Sequence, residues 1–280
     1  MLGKSCLVTG TTGGIGLEIA RGLARRGAQV ILHGRTLARA EAVATSIRGR
    51  QKDAHLEAVC ADLGSFAEVR GMAEEVARRH GQLDVLVNNA GVLMTRLELS
   101  KDGYEMTFAV NHLAPFLLTN LLLDNLRRSG AGRVITVASV AHKGGFIDFG
   151  NLKGENGFNS MGIYSASKLA NVLFTNELAN RVEGTGVTAN CLHPGVINTG
   201  LWRQSKPIAI VFGVFQMFFP SAATGADTAL YLAGDPAVAG VNGGYFSKRT
   251  MRRPAPQAFD AEVQRRLWDV SAEITGVGKQ

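Results

Sequence analysis

A tyrosine and a lysine stand four residues apart in the run Tyr164-Ser165-Ala166-Ser167-Lys168. On a helix this spacing puts both side chains on one face, one turn apart. A free phenol titrates near pH about 10 and is a poor acid or base at neutrality. A fixed ammonium beside it favours the phenolate, so Lys168 is expected to bring the Tyr164 pKa down towards the range useful for proton transfer. The pair alone also fits an ordinary amphipathic helix, and the elements around it must decide.

Those elements alternate. Short β-branched runs predict strands at Ser5–Thr9, Gln29–His33, His55–Cys60, Val85–Asn88, Arg133–Ala138, Val187–Leu192 and Gly244–Ser247. Longer patterns between and after them predict helices at Ile15–Arg26, Leu37–Arg48, Phe66–His80, Thr107–Arg128, Ile163–Val182, Ala222–Ala233 and Gln257–Ala272. This rhythm predicts an α/β fold: a doubly wound, Rossmann-type parallel sheet of about seven strands with helices on both faces. Continuous apolar strand cores such as Val85-Leu86-Val87 agree with a sheet buried on both sides. No repeat, low-complexity tract or linker interrupts the 280 residues, so one domain is expected over 1–280.

In such a sheet, ligands bind beyond the carboxyl ends of the strands. The first strand is followed by Thr9-Gly10-Thr11-Thr12-Gly13-Gly14-Ile15-Gly16 and then a helix. Glycines let a backbone approach a pyrophosphate, and the helix N-terminus offers free N–H groups. After the second strand comes His33-Gly34-Arg35-Thr36. An acidic residue there would hold the ribose 2′-hydroxyl of NAD; Arg35 instead suits a 2′-phosphate, making NADP the expected cofactor and NAD the alternative. The Thr36 hydroxyl suits the same phosphate; the alternative is a solvated Arg35 beside a helix N-cap made by Thr36. After the third strand stand Asp62 and Leu63, with Asp62 suited either to an adenine amino group or to capping the next helix. Asn88-Asn89-Ala90-Gly91 follows the fourth strand, Ser139 the fifth, and His193-Pro194-Gly195-Val196-Ile197-Asn198-Thr199 the sixth. Ser139 could donate to a substrate oxygen or satisfy loop backbone. His193 reads as a satisfied buried histidine.

Composition narrows the classes. Apolar residues make up 46% and charged residues 19%, enough for a large core and too few charges for a disordered chain. The net charge of +7 is scattered in small clusters (Arg25-Arg26, Arg127-Arg128, Arg252-Arg253) without a long basic run, which argues against a nucleic-acid partner. Cys6, Cys60 and Cys191 show neither Cys-x-x-Cys nor metal-ligand spacing, so no metal is expected and buried, inert thiols in a reducing cytoplasm are. No secretory leader is expected, because the chain enters a strand at Ser5. No stretch reaches the roughly 20 apolar residues of a membrane-spanning helix.

Taken together, Thr9-Gly10-x-x-x-Gly14-Ile15-Gly16, Asp62, Asn88-Asn89-Ala90-Gly91, Asn111, Ser139, Tyr164-x-x-x-Lys168 and Pro194-Gly195 resemble the short-chain dehydrogenase/reductase family, in its order and over nearly the whole chain. The stretches Asp102-Gly103-Tyr104-Glu105, Val110-Asn111-His112-Leu113, Leu169–Phe174, Gly244–Ser247 and Arg266-Leu267-Trp268 resemble its retinol-dehydrogenase-like branch. The resemblance implies an NADP(H)-dependent carbonyl reductase or alcohol dehydrogenase. It implies Tyr164 as the acid–base group, Lys168 as its tuner and a ribose ligand, Ser139 on the substrate oxygen, and Asn111 holding a water for proton supply. Gly10, Thr12, Gly14, Ile15, Gly16 and Arg35 would hold the adenosine phosphates, Asp62 and Leu63 the adenine, and Asn89, Ala90 and Gly91 a ribose. Pro194, Gly195 and Thr199 would lie near the nicotinamide. Many NADP-preferring members carry a basic residue where this chain has Gly13, so Arg35 has less help with the phosphate. The resemblance also suggests that the helices Thr107–Arg128 and Ile163–Val182 pair two copies into a homodimer. A catalytically silent dinucleotide sensor or interaction protein, and a biosynthetic enzyme performing C=C reduction or cyclisation, are the other readings of the same scaffold.

Between Thr199 and Ala222 the rhythm breaks. The apolar run from Ile208 to Pro220 carries Phe212, Phe215, Met217, Phe218 and Phe219. An insertion at about 200–222 is expected to act as a lid over a bulky lipophilic substrate. Plain core packing and peripheral contact with a membrane, beside Arg203 and Lys206, are the other readings. His142, Lys143 and the loop from Phe146 to Phe158 are expected to form the opposite wall.

Overall fold

The structure, a computed structural model, describes residues 1–195 and 222–278. Its eight-stranded sheet runs β3-β2-β1-β4-β5-β6-β7-β8. The strands are β1 (Ser5–Val8), β2 (Gln29–Gly34), β3 (Leu56–Cys60), β4 (Val85–Asn88), β5 (Arg133–Val137), β6 (Thr188–Leu192), β7 (Tyr245–Ser247) and β8 (Thr250–Arg252). All neighbours are parallel except β7 and β8. The order reverses between β1 and β4, and the crevice beyond their carboxyl ends is where an open sheet of this kind takes its ligand.

The helices are α1 (Gly14–Arg25), α2 (Leu37–Arg48), α3 (Phe66–Arg79), α4 (Met106–Phe108), α5 (Ala114–Leu121), α6 (Leu123–Arg128), α7 (Ser160–Arg181), α8 (Ala222–Gly234) and α9 (Ala261–Thr275). Strand side chains alternate between two cores. Leu7, Ile31, Leu86 and Val134 point towards α3, α5, α7 and α9. Cys6, Val8, Val30, Leu32, Val85, Val87 and Ile135 point towards α1, α2 and α8. This period-two division of continuous apolar runs is what a doubly covered parallel sheet requires.

Four expectations need correction. The sheet has eight strands, because Thr250–Arg252 returns antiparallel to β7. Its three residues are all exposed, so no apolar run marks it. Its two-residue turn uses Lys248 and Arg249 at φ 52° and 58°, a left-handed geometry that Asn-Gly ordinarily signals. The helix expected over Thr107–Arg128 is divided by a π turn at Ala109–Leu113 and by Leu122, whose φ of −99° and ψ of 5° lie off the helical values. Pro115 has no N–H for the carbonyl of Asn111 four residues earlier, and Ala114 N–H bonds back to Ala109 instead. The helix expected from Gln257 begins at Ala261, where Asp260 caps it by accepting from the N–H groups of Glu262 and Val263; a 3-10 turn covers Pro256–Phe259. Finally, Cys6 and Cys191 are buried thiols that burial pushes up to about 12, but Cys60 is exposed at the end of edge strand β3.

Helix α9 lies across α5 and α7. The Trp268 ring meets Phe116 edge-on at 4.9 Å and stacks on Phe174 at 5.9 Å, with the Arg181 guanidinium 4.3 Å from its centre. His112, next to Asn111, is fully buried and its Nε2 shares a 2.9 Å hydrogen bond with Ser271 Oγ. Burial drives the His112 pKa from 6.5 down to about 3. The folded chain therefore keeps this ring neutral while the unfolded chain binds a proton below its ordinary pKa, so stability is present above pH 6.5 and drains away between 6.5 and 3. Urea unfolding at pH 5 should show about 2 kcal/mol of acid-linked loss that His112→Asn removes; an unchanged pH dependence in that variant would place the proton elsewhere.

Candidate active site

The Gly-rich turn after β1 is laced to the ends of its neighbours. Gly10 N–H donates to His33 Nδ1 (3.0 Å), and His33 Nε2 then carries the proton donated to the Ala61 carbonyl (3.0 Å). His33 is buried and its pKa is lowered by that burial, consistent with a neutral ring bonded at both nitrogens. Thr11 donates its N–H and its hydroxyl to the His33 carbonyl (2.9 and 3.1 Å). Asn89 Nδ2 donates to the carbonyls of Thr9 (2.8 Å) and Gly10 (3.4 Å), and Thr9 Oγ1 accepts the N–H groups of Asn89 and Ala90 (3.0 Å each). Neither His33 nor Thr9 carried a sequence signal for this role, since a buried polar side chain is recognisable only by its partners.

Two glycines are obligatory here. A Cβ on Gly16 would lie 2.2 Å from the Gly10 carbonyl oxygen, and one on Gly10 would lie 2.9 Å from the Ala90 Cα. Gly13 and Gly14 face open space, and the N-terminus of α1 has no side-chain cap and no acidic residue in its first turn. Ile15 and Gly16 are buried beneath it, while Thr12 is exposed at the rim.

Beyond β2, Arg35 is exposed, and Thr36 holds the N-cap position of α2 without making a side-chain cap bond. Beyond β3, Asp62 does not cap α3; Ser65 does, accepting from Glu68 N–H. Asp62 accepts from Gly64 N–H (3.0 Å) beside buried Leu63.

The proton-handling residues converge beyond β4 and β5. Lys168 is buried on α7, and its Nζ donates to the Val137 carbonyl at 3.0 Å. Asn111 accepts Val92 N–H at Oδ1 (2.7 Å) and donates from Nδ2 to the Val92 carbonyl (2.9 Å) and Ser167 Oγ (3.0 Å). Gly91 lies between them: a Cβ there would be 3.2 Å from Asn111 Oδ1 and 3.5 Å from Lys168 Nζ. Ser139 caps a 3-10 turn over Val140–Gly144, and Gly145 lets that turn seat against α7, where a Cβ would strike the Ser165 carbonyl at 2.5 Å. The seat brings Ser139 to Tyr164.

The expected sign of the Tyr164 shift is wrong. Burial raises its pKa above the ordinary phenol value, and only a hydrogen bond with Ser139 opposes the rise. The Lys168 Nζ stands 5.7 Å from the ring centre, turned to Val137, and its own pKa falls to about 8 because it is buried. Withdrawal from water is the main cause of the rise, and the ammonium of Lys168 is not among the groups that oppose it.

His142 is corrected as well. It is fully buried rather than part of a wall; its Nε2 accepts Ala255 N–H (3.0 Å), so Nδ1 carries the proton it donates to the Ser139 carbonyl (2.7 Å). His193 is half-buried, and its Nδ1 accepts Val140 N–H (3.2 Å). Pro194 and Gly195 follow β6 at the same end of the sheet. Thr199, most of the expected insertion at 200–222, and the apolar run 208–220 lie outside the described residues.

Residues 4–208 match the family model for short chain dehydrogenases. The chain belongs to that family. Human retinol dehydrogenase 13 is 42% identical over 282 residues, covering 98% of this chain and 85% of that protein, and the chain falls in the retinol-dehydrogenase-like branch. Among solved structures, an uncharacterized protein from Mycobacterium paratuberculosis superposes with a TM-score of 0.80 at 32% identity, covering 98% of this chain and 94% of that one. A gluconate 5-dehydrogenase from Burkholderia cenocepacia, in complex with NADP and tartrate, gives 0.71 at 26% identity over 88% and 93%. This short chain dehydrogenase is thus an NAD(P)-dependent oxidoreductase acting on CH–OH or C=O groups of a small molecule. The residues present fit such a nucleotide: the open glycine face at the uncapped α1 N-terminus suits a pyrophosphate, and the Gly91 slot beside Lys168 suits a ribose.

Proposed function

We propose that the chain is an NADP(H)-dependent oxidoreductase for a lipophilic carbonyl or alcohol. The observation that carries the reading is that Asn111 and Lys168 flank the Gly91 slot while Tyr164, one turn from Lys168 on α7, is bonded to Ser139, at the carboxyl ends of β4 and β5. When bound, the nicotinamide nucleotide supplies or accepts the hydride. In reduction, Tyr164 donates its phenolic proton to the substrate oxygen as charge grows there, and Ser139 donates a hydrogen bond to the same oxygen. A phenol raised by burial stays protonated at neutral pH, which suits the donor role. Lys168 keeps one N–H on Val137 and has two others for a ribose hydroxyl. Both Nδ2 hydrogens of Asn111 are engaged by Val92 and Ser167 and its Oδ1 accepts Val92 N–H, so its part in proton supply is assigned to its backbone carbonyl, for which Pro115 four residues on has no N–H.

Gly10, Thr12, Gly14, Ile15 and Gly16 would cradle the phosphates, Asp62 and Leu63 the adenine, Asn89, Ala90 and Gly91 a ribose, and Pro194 and Gly195 the nicotinamide. The NADP preference is supported by Arg35 without a carboxylate at the end of β2, and by the NADP in the Burkholderia neighbour. A lipophilic substrate is supported by the names of the retinol dehydrogenase relatives and by exposed Val140, Phe146 and Met161, which flank Ser139 and Tyr164 in the chain. The three unpaired cysteines support a reducing, cytoplasmic setting. A homodimer paired through the helices of Thr107–Arg128 and Ile163–Val182 belongs to the same reading; it would use faces of these helices other than the one at Phe116 and Phe174, which Trp268 of α9 covers.

Two measurements test the reading. NADPH oxidation with a panel of long-chain aldehydes, ketones and enones should show turnover with carbonyls; tight NADPH binding without turnover on any of them would overturn it. Arg35→Ala should weaken NADPH by about 10- to 100-fold, as expected for a charge-assisted contact, and leave NADH nearly unchanged. Equal losses for both would remove Arg35 from the phosphate.

A further inference from the structure

Helix α2 divides its charged residues between two faces. Arg39, Ala42, Val43 and Ser46, spaced 0, 3, 4 and 7, line a hollow shared with Thr12 and Leu17. Leu37, Glu41, Ala44, Thr45 and Arg48 line a separate hollow on the side of β3 and α3. The helical period thus turns Arg39 towards the Gly-rich turn and Glu41 away from it.

The Arg39 side is held in place by backbone. Thr12 sits over the end of β2, where a Cβ on Gly34 would lie 2.9 Å from the Thr12 methyl carbon. The bonds from Gly10 and Thr11 to His33 fix that turn against β2, so Thr12 and Arg39 line one hollow beyond the strand, and Arg35 directly follows the strand's last residue, Gly34. Among the described residues, neither Arg35 nor Arg39 makes an ion pair, and the carboxylate of Glu18 on α1 is taken by Arg21 at 2.7 Å. Two guanidinium groups therefore stand at the β2–α2 junction with no carboxylate paired to either among the described residues, and the Thr36 hydroxyl makes no cap bond.

We propose that Arg39 is a second cation for the adenosine 2′-phosphate and sets the preference for NADP over NAD together with Arg35. This rests on the NADP reading above and adds a residue to it. It also answers the departure at Gly13: the second positive charge comes from the first turn of α2 rather than from the Gly-rich turn. A guanidinium suits a dianionic phosphate ester through paired N–H donors, and it has nothing to grip on the 2′-hydroxyl of NAD.

Equilibrium binding tests this without turnover. Quenching of intrinsic fluorescence would give Kd for NADPH and NADH, with 2′,5′-ADP and 5′-ADP as competitors, in the wild type, Arg35→Ala, Arg39→Ala and Arg39→Lys. Arg39→Ala should raise Kd for NADPH and 2′,5′-ADP by about 10- to 30-fold, leave NADH and 5′-ADP within about two-fold, and recover most of the loss as Arg39→Lys. Equal effects on both nucleotides, or none, in Arg39→Ala while Arg35→Ala stays selective would overturn the Arg39 assignment and leave the NADP reading standing. A wild type that binds NADH as tightly as NADPH would overturn both.

Discussion

Tyr164→Phe should lower turnover by about 10²- to 10⁴-fold, the usual weight of a positioned proton donor, while nucleotide affinity stays within about two-fold. The substitution removes one oxygen and leaves the half-buried ring in its place on α7, so fold and cofactor contacts from Lys168 survive. The large loss follows from the isolation of the site. Ser139 is the side chain that bonds Tyr164, and its hydroxyl also accepts Ala141 N–H, so it can steady a developing charge without replacing the lost proton. Burial-raised Tyr164 adds a pH signature: reduction should hold up well into alkaline solution, because the phenol keeps its proton there. Fluorescence titration with NADPH and steady-state rates on one reactive aldehyde measure both quantities. Turnover retained in Tyr164→Phe would take the residue out of the proton path.

Gly16→Ala should be the most damaging added methyl among the described glycines. The added carbon would sit 2.2 Å from the Gly10 oxygen and 2.5 Å from Asn89 Nδ2. The oxygen belongs to backbone that is itself tied to His33, and the Asn89 amide is tied to Thr9. Neither can withdraw without breaking the lacing between β1, β2 and β4. Overpacking of this kind costs about 1–3 kcal/mol, and here it also displaces the glycine face meant for the pyrophosphate. A lower urea midpoint together with at least about a ten-fold rise in Kd for NADPH and NADH alike is expected. Gly13→Ala, with open space around its Cβ, is the control: its fold should be undisturbed. Wild-type stability and affinity in Gly16→Ala would show that the turn is looser than its contacts imply.

Where sequence and structure agree, the cause is local periodicity. Seven strands were legible because buried parallel strands must be continuous apolar runs, and Val85-Leu86-Val87 can hardly be anything else. Strand β8 was not legible: it buries no side chain, and its turn is made by Lys248 and Arg249 in a conformation that neither residue type advertises. The π turn under Asn111 was hidden for a different reason. The pattern from Thr107 runs unbroken through Pro115 as one helix, and only the chain's path shows how its hydrogen bonds are rerouted into a π turn where the proline lacks an N–H.

The gathering of candidate residues at the ends of successive strands was legible in the sequence, because a parallel sheet delivers every strand's carboxyl end to one edge; their roles, and Asn111 altogether, rested on the family resemblance. Their protonation was not legible. Spacing puts Lys168 one turn from Tyr164 and says the phenol should be acidified; the fold buries Lys168 and half-buries Tyr164, turns the ammonium to Val137, and raises the phenol instead. The same holds for His33, His112 and His142, three histidines whose roles are set by partners 28, 159 and 113 residues away. Residue type and spacing are local properties that survive in a string of letters. Desolvation and long-range hydrogen bonding are sums over neighbours in space, and only the folded chain specifies them.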